Sequence, residues 1–223
     1  MIKKIFVILT MIGLIMMLSS LVLNFEFVEQ LNDLSADYVT GSIEDLKSQN
    51  VVTSVIVTYR GLDTLGEVTV LFLATAGIGF LLGKRKGKKR VASELLQTSS
   101  SFLVALIILL GVYIFSHGHL TPGGGFQGGV VIANAFLLLI LSDASIKFNH
   151  TILQLVESLS GAFYVIVGII GLVLTIGFLN AKIIPLGEFG RLISAGAIPI
   201  IYSLIGLKVG SELTNIIDTM RGE

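Results

Sequence analysis

Between two long apolar runs the chain carries His-Gly-His-Leu-Thr-Pro-Gly-Gly-Gly-Phe-Gln-Gly-Gly, residues 117–129, and no other stretch limits its fold as strongly. A helix cannot pass through Pro122 and three successive glycines without losing backbone hydrogen bonds. At membrane depth such irregular backbone persists only where other protein covers it. The segment therefore predicts a helix on each side of a break, and a chain built for a larger assembly.

Composition turns the apolar runs into membrane spans. Of 223 residues, 53% are hydrophobic and 13% charged, and the mean hydropathy is +0.91, which leaves too little polar surface to close around one soluble core. The expected fold is all-α, a polytopic membrane protein with about six transmembrane helices, one broken by the Pro-Gly-Gly-Gly-Phe segment. Apolar segments fall at 5–23, 68–83, 102–116, 130–141, 153–179 and 192–209. The fourth is shorter than the roughly 20 residues a span needs, so its helix should begin inside the glycine segment and place the break at a membrane surface. The first follows Lys3 and Lys4. Its apolar core exceeds the roughly 7 to 15 residues of a signal peptide, and no small-x-small site precedes Phe25 and Phe27, which favours an uncleaved first helix.

Charge sets the orientation. Lys84, Arg85, Lys86, Lys88, Lys89 and Arg90 form the densest basic run, which predicts a cytoplasmic loop. Six spans then put both termini in the cytoplasm and Lys3, Lys4, Lys147, Lys208 and Arg221 on that side, leaving Lys47, Arg60, Lys182 and Arg191 outside. The run also separates two expected modules, residues 1–90 and 91–223, and is suited secondarily to anionic lipid headgroups. A formal net charge of zero argues against nucleic acid. Cysteine is absent, which excludes disulfides, thiolate zinc sites and cysteine-held iron–sulfur clusters, so any redox centre belongs on a partner.

The outer loop, residues 24–64, sets Glu26, Glu29, Asp33, Asp37, Glu44, Asp45 and Asp63 against only Lys47 and Arg60. Within it Phe25, Val28, Leu31 and Leu34 recur at helical spacing and predict a short helix. The β-branched stretch 51–59 suits either a short strand or a re-entrant segment.

Candidate functional residues are the ionisable groups set against apolar segments. Glu67 opens the second span beside Asp63 and Arg60, where an acidic residue also complements the helix dipole. Glu157 lies about two turns inside the fifth segment and shares a helical face with Ser160, Gly161, Tyr164, Gly168 and Gly171. A charge at the centre of a span costs about 2.5 to 3.5 kcal/mol on insertion scales, so Glu157 should face protein or water, either bonded to a neighbouring helix or serving an ion relay. His117 and His119 stand two apart at a helix end, a spacing that puts them on different faces, unlike the i, i+4 arrangement of a helical metal pair, and at the membrane surface they suit proton exchange, hydrogen bonding or interfacial contacts. His150, near Lys147, reads as a surface residue. Residues 123–128 also satisfy G-x-G-x-x-G, yet an apolar span precedes them instead of a strand, which rules out the dinucleotide fingerprint. These glycines are better suited to letting helices approach closely.

His119 to Gly129, through Pro122, Gly123, Gly124, Gly125, Phe126 and Gly128, resembles the MrpB (MnhB) subunit of multisubunit sodium/proton antiporters and the equivalent subunit of membrane-bound hydrogenase-type complexes. The resemblance extends over about 95–208, and Gly187, residues 195–199 and Tyr202 fit the same pattern. Tyr-Arg-Gly-Leu-Asp-Thr-Leu-Gly-Glu-Val-Thr-Val-Leu, residues 59–71, resembles the two-helix module at the C-terminal end of the large MrpA subunit, found separately as MbhE. The resemblance implies a non-catalytic accessory subunit of an ion-translocating membrane assembly, with Na+ or H+ as the transported ion and any Fe–S or Ni–Fe centre on partner subunits. The implied partners are an antiporter-like large subunit, MrpC- and MrpG-like small subunits, other Mbh-like membrane subunits, a peripheral redox arm in the redox-driven complexes, and the bilayer of the cell membrane. It assigns the acidic position of the Asp-Thr-Leu-Gly-Glu motif to Glu67, with Asp63 beside it. The expected ion path thus comprises Glu67, Asp63, Glu157, His117 and His119. Two alternatives stand beside it: a structural scaffold subunit of the same complex, and an independent transporter.

Overall fold

The computed structural model describes residues 2–23, 25, 30–82, 92–143 and 145–221. The basic run 84–90, and Glu26, Phe27, Val28 and Glu29 of the outer loop, lie outside the described residues. The chain divides into two compact units, Met1–Ala36 and Asp37–Glu223. The first contains helix α1, Ile2–Leu23, whose large apolar side chains from Ile5 onward are exposed. Helix α2, Asp33–Glu44, begins where the Asn32 side chain accepts a hydrogen bond from the Ser35 amide at 2.8 Å. This cap starts the helix later than the Phe25-to-Leu34 periodicity suggested, and only Leu34 of those residues lies in it.

The second unit is a helical bundle. Residues 51–59, read from sequence as a short strand or a re-entrant segment, are helical, which overturns the strand: α3, Val51–Ser54, passes directly into a π-helical turn, Val55–Tyr59. Asn50 caps this helix, its side-chain oxygen accepting from the Thr53 amide. The four-turn and longer helices that follow are α4, Gly61–Leu82, α5, Glu94–Ser116, α6, Gly125–Ser142, α7, His150–Thr175, and α8, Ile198–Arg221. With α1, six helices among the described residues are long and apolar enough to cross a membrane. The sixth lies further along the chain than residues 192–209. Turns and the Gly187–Ser194 bridge occupy the approach to it, and helix begins only at Ile198 and Pro199, a position where the missing proline N–H costs no helical bond. Lys208, counted above among cytoplasmic cations, consequently sits in mid-span.

Helix α8 is the hub and packs against α4, α5, α6 and α7. Its buried residues Ile198, Ile201, Tyr202, Ile205 and Val209 recur at helical spacing and form the core. Helix α6 reaches both α5 and α8 through glycines. A Cβ on Gly128 would lie 2.6 Å from the Gly111 carbonyl oxygen of α5, and one on Gly129 would lie 2.8 Å from the Gly206 carbonyl oxygen of α8. Backbone therefore meets backbone, as small residues permit between membrane helices. Pro122 to Gly124 precede α6, and Gly123 takes a φ of +153°, which disfavours any side chain.

The 117–121 turn is held from outside by residues 48–53, which lead into and begin α3. The Gly118 carbonyl accepts from the Asn50 side-chain amide at 2.8 Å and from the Thr53 hydroxyl at 2.7 Å. The Thr121 carbonyl accepts from the same Asn50 amide at 3.0 Å, and the His119 carbonyl accepts from Gln49 and Asn50 amides and the Ser48 hydroxyl. Asn50→Ala removes both side-chain bonds and the helix cap. It is expected to destabilise the fold by about 1–3 kcal/mol, lowering the thermal midpoint of the detergent-solubilised protein by several degrees.

Candidate functional site

Two opposite charges are buried together in the middle of α8. The Lys208 ammonium lies 2.9 Å from Glu212 Oε2 one turn on, and the two side chains are 11% and 2% exposed. The other carboxylate oxygen, Oε1, accepts from the Thr75 hydroxyl of α4 at 2.8 Å, and the Phe72 ring centroid lies 5.5 Å from the ammonium. Breaking such a pair would leave a bare charge in the bundle, so every partner matters. Glu157, on α7, is partly buried and within electrostatic reach of both Glu212 and Lys208. It lines a cavity of about 390 Å³ together with Thr75, Gln154, Ser158, Glu212 and Asn215. The small-residue face expected around Glu157 is present: Ser160, Tyr164, Gly168 and Gly171 are buried, and Gly161 lies beside the Lys208 stem.

Glu67 stands apart from this cavity. It is exposed on the second turn of α4, close enough to interact electrostatically with Tyr164 of α7 and Tyr202 of α8. Asp63 pairs with Arg60 at 2.5 Å across the start of α4, both side chains being exposed.

The two histidines occupy the turn between α5 and α6 and serve different surroundings. His117 is partly buried and stacks on Tyr113 with ring centroids 4.2 Å apart, its Nδ1 3.1 Å from the Ser116 hydroxyl. His119 is fully buried. Its Nε2 lies 3.4 Å from the Arg191 carbonyl, which accepts the ring N–H, while Nδ1 has no hydrogen-bond partner among the described residues. Burial lowers the His119 pKa below its ordinary value, the Arg191 carbonyl opposes this, and His117 adds to it. Neither histidine lines the Glu157 cavity. His150 is exposed, as expected, and reaches Asp218 at 3.1 Å.

Sequence reasoning thus located Glu157 but missed Lys208, Glu212 and Thr75. The readable signal was the Lys208-to-Glu212 spacing of four within an apolar run, which places opposite charges on one helical face. Among the described residues no group of three or more His, Asp or Glu is arranged to hold a metal ion.

The fold and this cluster define a multi-pass helical membrane protein with a charge pair inside its bundle. The chain belongs to the MnhB family, whose model, a domain related to the MnhB subunit of Na+/H+ antiporter, matches residues 95–215. The model for MbhE, a subunit of MBH, matches residues 3–100. A chain in the structure of the membrane-bound sulfane sulfur reductase, an archaeal respiratory membrane complex, superimposes with a TM-score of 0.80 and 41% identity over the full length of both chains. A chain of the Mrp complex from Dietzia sp. matches with a TM-score of 0.75 and 24% identity, a likeness of fold that covers 98% of this chain and 26% of that one. An uncharacterized protein of Methanocaldococcus jannaschii is 31% identical over 195 residues, 74% of each chain. The putative antiporter subunit mnhB2 of Staphylococcus saprophyticus is 45% identical over 47 residues, so the match spans 33% of that relative and 21% of this chain.

His119 generates a pH prediction. With a folded pKa below that of the unfolded chain, the unfolded state binds the proton more readily. Stability is therefore full above the ordinary value of 6.5 and declines as the pH falls through it toward the folded pKa. The contribution is at most about 1.4 kcal/mol per pH unit for this one proton. His119→Gln should flatten this acid-side decline in thermal unfolding in detergent.

Proposed function

We propose that this chain is an accessory membrane subunit of a multisubunit sodium- or proton-translocating complex, of the Mrp antiporter type or the related respiratory type. The observation that carries this reading is the Lys208–Glu212 pair at mid-span beside Glu157 and a cavity with a mixed polar and apolar lining. Charges at that depth are expensive and ordinarily belong to ion or proton routes. Glu67, Asp63, Glu157, His117 and His119 are the further candidates for the path. The chain itself is read as non-catalytic, with any redox centre carried by partner subunits.

Partners are also suggested by what the bundle leaves uncovered. Glu67 is exposed on an apolar helix, a position that calls for cover by another subunit. Gly66 and Gly77, eleven residues apart on the same face, have open space where a side chain would lie, and a neighbouring helix would fit there closely. An antiporter-like large subunit and MrpC- or MrpG-like small subunits are the proposed neighbours. The two modules 1–90 and 91–223, the cell-membrane location and cytoplasmic termini belong to the same proposal.

Glu67→Gln should lower sodium-dependent transport in membrane vesicles at least tenfold while the complex still assembles. If Glu67→Gln combined with Glu157→Gln leaves transport unchanged in an assembled complex, the chain is a scaffold and not part of the path.

A further inference from the structure

We infer that Lys208 is a movable internal cation that gates a monovalent-cation site between Glu212 and Glu157, swinging between two cavities on opposite sides of its ion pair. This rests on the ion-translocation reading above and goes beyond it by naming the gate. Lys208 is the eleventh residue of α8, about 15 Å along the helix and so at mid-membrane. On the side toward His150 lies the 390 Å³ cavity, whose polar groups include both carboxylates, the Thr75 and Ser158 hydroxyls and the Gln154 and Asn215 amides, the rest of its lining being mostly apolar. On the side toward Glu67 lies a second, mostly apolar cavity of about 260 Å³, lined by Lys208 itself, Phe72, Thr69, Tyr164, Leu65 and Val68. Tyr164 is 2% exposed, and its hydroxyl has no hydrogen-bond partner among the described residues. Phe72 lines both cavities.

The charge balance and the donor chemistry agree. Glu157, Glu212 and Lys208 together carry one net negative charge, leaving room for one monovalent cation. Carboxylate, hydroxyl and amide oxygens suit a hard cation such as a proton or Na+. The charged or titratable groups around the pair are Glu157 and Tyr164 from α7, Glu212 from α8 and, beyond Tyr164, Glu67 from α4; His150 and Asp218 pair at the far end. A cation arriving at Glu212, either as a proton bonding to a carboxylate oxygen or as Na+ shared with Glu157, neutralises the counterion of Lys208. The ammonium, already 5.5 Å from the Phe72 ring centroid in its paired position, then turns along that ring into the second cavity, where the buried Tyr164 oxygen, without a hydrogen-bond partner among the described residues, accepts from it. Its return to Glu212 expels the bound cation. No bond other than the O–H of the arriving proton is made or broken.

The test uses the assembled complex in membrane vesicles. Lys208→Arg retains the charge, but a guanidinium grips a carboxylate with two bonds and resists release. The expected result is an assembled complex with transport reduced at least tenfold. Transport at the wild-type rate would overturn the gate, since a purely structural pair is served equally by arginine. A second variant, Lys208→Gln with Glu212→Gln, conserves net charge and close packing, and should likewise assemble and lose transport; retention of more than half would overturn the proposal. On the wild-type complex, dicyclohexylcarbodiimide labelling followed by mass spectrometry reads the carboxyls without any substitution. Labelling of Glu157 or Glu212 that Na+ suppresses at fixed pH identifies sodium, suppression by alkaline pH alone identifies protons, and no labelling of either residue overturns the site. If Glu67→Gln abolishes transport while Lys208→Arg does not, only the gate fails; if neither variant affects transport, the ion-path reading fails with it.

Discussion

The carbonyl groups left bare where α5 ends are the constraint around which this bundle is organised. Beyond the last turn of α5 the chain passes through residues 117–121 and then at once through Pro122 and three glycines, so the Gly118, His119 and Thr121 carbonyls have no continuing helix to pair them. Ser48, Asn50 and Thr53 supply the missing donors. The Tyr202 hydroxyl of α8 then donates to Thr53 at 3.1 Å, so the turn, the α3 segment and the central helix share one buried network. Had those carbonyls met lipid instead, each would have cost several kcal/mol by an order-of-magnitude estimate.

With the turn sealed, the glycines beyond it serve packing. Helix α6 lies close to α5 and α8 because Gly111, Gly128, Gly129 and Gly206 carry nothing that would hold the backbones apart. Lipid tails are as apolar as leucine, so membrane helices gain little from burying apolar surface against one another and much from such close contact. The α4, α7 and α8 side is built differently. There the helices meet around Thr75, Glu157, Lys208 and Glu212, where polar groups and cavities replace backbone contact. One face of α8 is thus tightly packed, and another is charged and lined by a cavity.

The sequence made the six spans legible because apolar runs of that length have few other uses, and the glycine break was legible because proline and glycine act locally. The Glu157 face was legible from helical spacing. What it hid was the register of the last helix. Gly187, Gly190, Ala195 and Gly196 take positive φ values that hydropathy does not record, and reading 192–209 as helix moved Lys208 to a membrane surface. The buried pair disappeared with that shift. Thr75 was beyond reach for another reason: its contact with Glu212 joins residues 137 apart, and only tertiary packing brings them together.

The walls of the charged cavity come from both halves of the chain. Phe72 and Thr75 belong to the part that matches MbhE, whereas Gln154, Glu157 and Glu212 belong to the part that matches MnhB. Carrying both on one polypeptide makes completion of that cavity an intramolecular event, governed by effective concentration and independent of how much of a second gene product is made. Each copy of α8 is then synthesised with its own α4, and the equal numbers that separately encoded pieces would have to reach by regulated expression follow from translation alone.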